Sequence, residues 1–286
     1  MSRRILEKKQ LGPCIWEYLI EAPDIAKAAR AGQFVIVRLH EKGERIPLTI
    51  VETEQAVGGV RLVVQEVGKT TCEMVAGFDA GDALLDFVGP LGEPSEIARY
   101  GVTVCIGGGV GIAPLYPIAR ELKAAGNRVI AVLGARSADC LFYEKEFADL
   151  CDAVHIVTDD GSRGESGFTS DVLGRLLDTG EKIDRVWAIG PPIMMKVCAD
   201  VTRPHGIPTV VSLNPIMVDG TGMCGGCRVE VGGKTRFACV DGPEFDGHQV
   251  DFDGLMARLR FYTRSETRLL DEHELQPCTR KQEEAW

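Results

Sequence analysis

Val102-Thr-Val-Cys-Ile-Gly107-Gly-Gly-Val-Gly-Ile-Ala-Pro114 decides the fold. Its first residues are apolar without alternation, which predicts a short strand buried on both faces, the kind found in parallel sheets covered by helices. The strand runs into consecutive glycines, and helical spacing follows over 113–125. In that order, strand, turn and helix place a ligand beyond the carboxyl end of the strand, where the helix N-terminus favours phosphate. The pattern departs from the usual dinucleotide fingerprint. Gly109-x-Gly111 is followed at the third position by Pro114, and the next strand ends in Gly134-Ala-Arg136 instead of an acid. A tight strand-to-helix turn that needs small residues is the alternative reading of the glycines.

Working outward, Val129-Ile-Ala-Val-Leu-Gly134, Ala153-Val-His-Ile-Val157 and Arg185-Val-Trp-Ala-Ile-Gly190 repeat the buried strand with helical stretches between them. Residues 96–213 therefore read as an α/β domain with a parallel sheet. The loops that follow its strands converge on one crevice. They supply Gly108, Gly109, Val110, Gly111, Ala113, Arg136, Asp159, Asp160, Gly190, Pro191 and Met194 as candidate nucleotide-binding residues. Asp159 and Asp160 equally suit turn caps, and Met194-Met195 equally suits a core. Arg136, with Arg163 nearby, is compatible with a pyrophosphate or with a 2′-phosphate, so it does not separate NAD from NADP.

Before this domain, Gln33-Phe-Val-Ile-Val-Arg-Leu39, Leu48-Thr-Ile-Val-Glu52, Gly59-Val-Arg-Leu-Val-Val-Gln-Glu-Val67 and Ala83-Leu-Leu-Asp-Phe-Val88 are short runs separated by Gly, Pro and Asp. They predict a small antiparallel barrel over residues 1–95. Arg45-Ile-Pro47-Leu48-Thr49 and Gly68-Lys-Thr70-Thr71 are its polar exceptions, and Val64-Gln65 ends the run before the second. Gly68-Lys-Thr-Thr71 is not a P-loop, because Val63 stands where the first glycine is required.

After it, Asp219-Gly-Thr-Gly-Met-Cys224-Gly-Gly-Cys227 and Cys239 gather three thiols and a carboxylate among glycines. Two cysteines separated by two residues chelate one metal, and a third on the next strand extends the cage. Asp219 stands where a plant-type cluster loop carries its first cysteine, which nominates it as the fourth ligand. Structural zinc with His248, and unligated thiols, are the alternatives. This lobe spans 214–250. Residues 252–268 predict an amphipathic helix, and 251–286 as a whole form a helix and charged tail suited to docking a partner or to solvent.

The chain has 286 residues, 45% of them hydrophobic, and a net charge of −10 with a pI near 5.1. It lacks the basic excess of a general nucleic-acid binder. Charges stand where a signal peptide needs an apolar core, and no run of eighteen apolar residues occurs, so a cytoplasmic protein with no membrane segment is expected. Cys14, Cys72, Cys105, Cys140, Cys151, Cys198 and Cys278 are scattered and read as small buried hydrophobes. The five histidines show no paired spacing and read as structural or surface residues.

Taken in order, the motifs resemble the ferredoxin-NADP reductase superfamily, in particular its two-domain FAD proteins with a C-terminal [2Fe-2S] lobe. Arg45-Ile-Pro-Leu-Thr-Ile50, Asn214-Pro-Ile-Met-Val-Asp-Gly-Thr-Gly-Met-Cys224 and Phe237-Ala-Cys-Val-Asp-Gly-Pro-Glu-Phe-Asp-Gly247 look most like the small subunits of NADH-dependent ferredoxin:NADP+ oxidoreductase and sulfide dehydrogenase. The resemblance implies an FAD-binding barrel, an NAD(P)-binding α/β domain and a [2Fe-2S] cluster held by Asp219, Cys224, Cys227 and Cys239. It implies flavin contacts from Arg45, Pro47, Leu48, Thr49, Val64, Gln65, Gly68, Thr70 and Thr71. The sequence departs from the superfamily in placing Arg45 four residues before Thr49 instead of three, and Thr70 where relatives have glycine. The implied function is electron transfer between NAD(H), FAD and the cluster, to or from a larger flavin and iron-sulfur partner that bifurcates electrons and reaches ferredoxin. No catalytic side chain is assigned, because the flavin carries the hydride step. The alternatives are a sulfide dehydrogenase subunit, a dihydroorotate dehydrogenase-type electron-transfer subunit and, from another class, a zinc-stapled nucleotide-binding regulator.

Overall fold

The computed structural model describes residues 3–272. Its first part is an antiparallel barrel built from two sheets. One has the strand order Glu52–Glu54, Gly59–Gln65, Ile15–Glu21, Arg3–Gly12, Ala83–Leu84, and the other Ile46–Thr49, Phe34–Arg38, Asp86–Leu91. The chain crosses between the sheets at two seams. Ile50 and Val51 form one, donating to Gln33 O (3.0 Å) and Arg61 O (2.9 Å), and Leu85 forms the other, donating to Arg38 O (3.1 Å). Closing the seams removes free sheet edges. The runs expected as single strands at 48–52 and 83–88 are each two strands, one per sheet.

The hairpin Arg3–Gly12/Ile15–Glu21 has no counterpart in the sequence reading, because its outer strand buries Ile5 alone and carries no apolar alternation. Strand Phe34–Arg38 is buried on both faces. Val35 and Val37 enter the barrel core with Tyr18 and Leu62, while Phe34 and Ile36 pack into a core shared with Cys227, Val229 and Cys239.

The parallel sheet has the order Glu165–Ser166, Ala153–Thr158, Arg128–Ala135, Val102–Gly108, Arg185–Ile189, Thr209–Ser212, and Val102–Gly108, expected as a buried strand, sits at its centre. Val104 and Ile106 face a core with helices Thr169–Asp178 and Pro192–Thr202, and Cys105 faces a second core with helix Ile112–Ala124. A seventh strand, Glu244–Asp246, adds antiparallel to Thr209–Ser212. It lies within the 214–250 stretch read as the cysteine lobe, yet it belongs to the edge of this sheet. From there Glu244 accepts hydrogen bonds from Ser95 Oγ (2.6 Å) and Trp187 Nε1 (3.3 Å), so one half-buried carboxyl ties the lobe to the end of the barrel segment and to the sheet. The rest of the lobe is the hairpin Arg228–Val231/Lys234–Phe237 and the short helix Ala238–Asp241.

Helix Phe252–Glu272 runs four residues past the expected end. The tail from residue 273, and Cys278, lie outside the described residues. Cys72, Cys105 and Cys198 are buried free thiols, as expected, and Cys140 and Cys151 are half-buried. Cys14 is buried as well, but its sulfur is disulfide-bonded and not a free thiol.

Candidate functional site

A crevice of about 1020 Å³ opens between the barrel and the carboxyl ends of the parallel strands. Of the residues singled out from sequence, the barrel wall contributes Pro47, Leu48, Thr49 and Gln65, and the sheet contributes Gly108, Gly109, Val110, Gly111, Ala113, Arg136, Asp159, Gly190, Pro191 and Met194. The glycine turn is tight for a steric reason. A Cβ on Gly111 would stand 2.2 Å from Ile189 O, and one on Gly108 2.4 Å from Met194 Sδ, so the turn lies against the backbone of the neighbouring strand Arg185–Ile189 and against a side chain of helix Pro192–Thr202. Gly109, Val110, Gly111 and Ala113 thereby place the start of helix Ile112–Ala124 at the crevice, where an anionic group would meet the helix N-terminus. Met195, in contrast, is core.

Asp159 stands exposed at the rim of the crevice, and partial desolvation raises its carboxyl above the ordinary range against the opposing pull of Arg136. Asp160 does not reach the crevice. Its Oδ1 accepts from Ser162 N (2.9 Å) and Oγ (2.6 Å), the turn-cap alternative. Arg163 pairs with Glu144 (3.0 Å), outside the crevice lining.

Several barrel residues singled out from sequence are also engaged elsewhere. Val64 is fully buried in the barrel core, and its neighbours Val63 and Gln65 face the crevice instead, as alternation on a strand requires. Arg45 is turned to the cysteine lobe, donating to Val218 O (2.9 Å) and Asp86 Oδ2 (3.0 Å). Its offset from Thr49 has this structural consequence. Gly68 precedes helix Lys69–Gly77, where Thr71 Oγ1 accepts from the Val67 and Gly68 N–H groups (both 3.1 Å), and Thr70 donates to Glu44 Oε2 (2.9 Å). These three cap and brace a helix beside the crevice rather than line it.

In the lobe, Cys227 and Cys239 are buried and their sulfurs stand 3.2 Å apart as free thiols. Burial, followed by the contact with Cys227, pushes the Cys239 thiol up to about 12. Cys239 N–H points at Cys227 Sγ, and Gly226 N–H at Cys224 Sγ, each at 3.5 Å. Asp219 accepts from Thr221 N–H (2.6 Å) and Cys224 N–H (2.7 Å), bonds that lower its carboxyl below the ordinary range. Gly220 (φ +77°) lets this loop lie on the barrel, where a Cβ would meet Leu91 and Ile36 side chains at 2.7 and 2.8 Å.

Two of the four proposed ligands thus touch, and the other two are bound to each other through the loop backbone. Among the described residues no three His, Cys, Asp or Glu side chains are gathered at metal-binding distance. The donor set still fits an iron-sulfur group, with paired buried thiols and N–H groups aimed at sulfur. It does not fit the zinc alternative with His248, whose Nε2 lies 2.9 Å from Thr202 Oγ1.

The crevice and the lobe share a wall. Phe34 and Met217 line the crevice and belong to the same core as Cys227 and Cys239. Sequence reasoning missed both, along with 167–170 and 212–214. Exposed Phe168 in the first of these segments (63%) follows the two-residue strand Glu165–Ser166, too short to leave a sequence signal.

Comparison with known proteins accords with these features. Residues 105–200 match the oxidoreductase NAD-binding domain, and residues 214–251 match the iron-sulfur cluster binding domain of dihydroorotate dehydrogenase B. The dihydroorotate dehydrogenase B (NAD(+)) electron transfer subunit homolog of Thermotoga maritima is 53% identical over 92% of both chains. The electron transfer subunit of dihydroorotate dehydrogenase B from Bacillus caldolyticus is 33% identical over 82% of this chain and 92% of its own. A chain in the structure of NADH-dependent reduced ferredoxin-NADP oxidoreductase, studied for flavin-based electron bifurcation, superposes with a TM-score of 0.90 at 49% identity. That likeness covers 96% of this chain and 99% of the other.

Proposed function

Since the chain belongs to the family of dihydroorotate dehydrogenase B electron-transfer subunits and their homologues, we propose that it is the NAD(H)-facing subunit of a heteromeric flavin and iron-sulfur oxidoreductase. In this proposal its partner is a larger flavin and iron-sulfur subunit through which ferredoxin is reached, a reading supported by its likeness, over almost its whole length, to a chain of NADH-dependent reduced ferredoxin-NADP oxidoreductase. The observation that carries this reading is the wall shared by the crevice and the thiol pair, built from Phe34 and Met217. A nucleotide-binding regulator has no need to set its nucleotide cleft against buried thiols.

In this reading Pro47, Leu48, Thr49 and Gln65 hold FAD against the barrel, with Gly68, Thr70 and Thr71 bracing the helix beside it. Gly108 to Gly111, Ala113, Gly190, Pro191 and Met194 hold NAD(H) against the sheet. FAD supplies the chemistry that accepts two electrons together from nicotinamide and releases them singly toward the cluster. The chain's residues orient the two rings and exclude water, and none is assigned as acid or base. Asp219, Cys224, Cys227 and Cys239 would hold the cluster, and each Asp219 oxygen accepts a single backbone N–H, which leaves lone pairs free for a metal. The division is barrel 1–95, nucleotide domain 96–213 and lobe 214–250, with Glu244–Asp246 lent to the sheet. The cytoplasm is the compartment that suits this role, supported by free thiols at all described cysteines but Cys14. No helix among the described residues is long and apolar enough to cross a membrane.

Asp159 beside Arg136 favours NAD(H), because a carboxylate at the crevice repels a 2′-phosphate while accepting from ribose hydroxyls. Arg136→Ala is expected to weaken NADH and NADPH binding by similar factors, read as apparent dissociation constants from anaerobic flavin reduction. A large loss confined to NADPH contradicts the assignment. A second reading, electron transfer to a dihydroorotate dehydrogenase catalytic subunit, draws on the Bacillus caldolyticus likeness. Co-purification with the larger subunit separates the two.

A further inference from the structure

The barrel and the nucleotide domain meet along a polar seam at one end of the crevice. Tyr143 of the nucleotide domain donates its hydroxyl to Glu17 Oε2 of the barrel, and Glu17 Oε1 accepts from Arg61 Nη1 at 2.8 Å. Arg61 also reaches Glu52 (4.0 Å), and Glu52 Oε1 accepts from Arg120 Nη1 (2.8 Å), which returns the network to the nucleotide domain. Two cross-domain bonds are therefore joined through one arginine inside the barrel.

The seam is built with unusual local features. Tyr143 has the left-handed backbone (φ +60°), the one non-glycine residue with positive φ among the described residues. Its ring is fixed between Tyr116 and Phe142, with centroids 5.6 and 5.2 Å away. Glu17 is 7% exposed, so its carboxylate depends on Tyr143 and Arg61 for partners. Gly12 has no room for a side chain, since a Cβ there would stand 2.9 Å from Asp139 O. The two parts are therefore in close contact at Gly12 and Asp139 as well.

Every member but one stands within three residues of the crevice. Ile15, Val51, Val63 and Cys140 line it, near Glu17, Glu52, Arg61 and Tyr143 along their own segments. Arg120, the remaining member, lies on helix Ile112–Ala124, which starts at the glycine turn. A shift in the seam thus moves both walls relative to each other.

We propose that this network is a clamp that sets the spacing of the two walls, and that Tyr143 is a positioning residue for transfer between nicotinamide and flavin. The proposal rests on the electron-transfer reading above. Displacement of reacting groups by about 1 Å costs on the order of 100-fold in rate, so loosening the clamp acts on rate more than on affinity.

The test uses the holoprotein with its partner, comparing wild type, Tyr143→Phe, Glu17→Gln and the double variant. Flavin reduction is followed by anaerobic stopped flow at saturating NADH, NAD+ affinity by calorimetry, and flavin seating by visible circular dichroism. Tyr143→Phe is expected to slow reduction about tenfold or more with NAD+ affinity changed less than about threefold, and to alter the dichroism of the bound flavin. The double variant is expected to be no slower than the slower single one. An unchanged saturating rate and dichroism with a lower melting temperature assigns a structural role only and overturns the proposal. Arg120→Gln, at the half-exposed end of the network, gives the same test if Tyr143→Phe fails to fold. A wild-type flavin that NADH does not reduce refutes the electron-transfer reading instead.

Discussion

Cys239→Ser protein is expected to bind FAD and to accept electrons from NADH, yet to lose its iron, its acid-labile sulfide and its activity toward one-electron acceptors. Cys239 is buried 3.2 Å from Cys227 and its N–H points at the Cys227 sulfur, so it serves the centre twice, through its thiol and through its backbone. Removing even an outer-shell partner of a metal site costs about 10–100-fold in affinity, and removing a direct ligand costs more. Activity with a one-electron acceptor is therefore expected to fall by about two orders of magnitude or more. The short wall of Phe34 and Met217 keeps the crevice intact, because those side chains and not Cys239 face it. Retention of iron and sulfide in the Cys239→Ser protein would remove this residue from the ligand set. Loss of FAD along with the iron would show that the lobe holds the crevice together.

Gly111→Ala is expected to have the largest effect on the nucleotide side. The new methyl group would stand 2.2 Å from Ile189 O, 2.7 Å from its carbonyl carbon and 2.9 Å from Gly190 Cα, all backbone atoms that cannot rotate away. Either the start of helix Ile112–Ala124 or the end of strand Arg185–Ile189 must move, and both line the crevice. Overpacking of this kind costs about 1–3 kcal/mol of stability. The same displacement withdraws the helix N–H groups from the nucleotide, so NADH affinity is expected to fall about tenfold, equivalent to about 1.4 kcal/mol. Thermal denaturation and flavin reduction against NADH concentration measure the two effects. Iron and FAD contents should be unchanged, since the lobe and the barrel wall do not depend on this turn.

The parts of the fold that were legible in the sequence are those whose signals are local. Val102–Gly108 is buried on both faces, so its composition announces a parallel strand, and the glycines that follow mark the turn into the helix even though the contacts that forbid a side chain at Gly108 and Gly111 come from Met194 and Ile189, far along the chain. Arg3–Gly12 was not legible, since a strand that buries Ile5 alone carries no periodicity. The same limit applies to the site. Gln65 was found and Val63 was not, because nothing in Val63-Val64-Gln65 says which valine turns outward until the strand is paired. Arg45 and Thr70 enter as flavin contacts only through the family resemblance, and their partners, Val218 and Glu44, lie in segments the sequence does not bring near them. Phe34 and Met217 were missed for the same reason, as they join the crevice to the thiols only once barrel and lobe have packed. The Tyr143–Glu17 bond spans 126 residues and leaves no sequence trace.

The central claim is that one chain holds FAD and an iron-sulfur cluster on the two sides of one wall. It is tested most directly by flavin, iron and acid-labile sulfide analysis, with a visible spectrum, on anaerobically purified protein before and after Asp219→Ala and Cys227→Ala. The predicted result is one FAD with about two irons and about two sulfides per chain, the iron and sulfide altered by both substitutions and the flavin by neither. Zinc in place of iron, with no sulfide and no flavin, would contradict it.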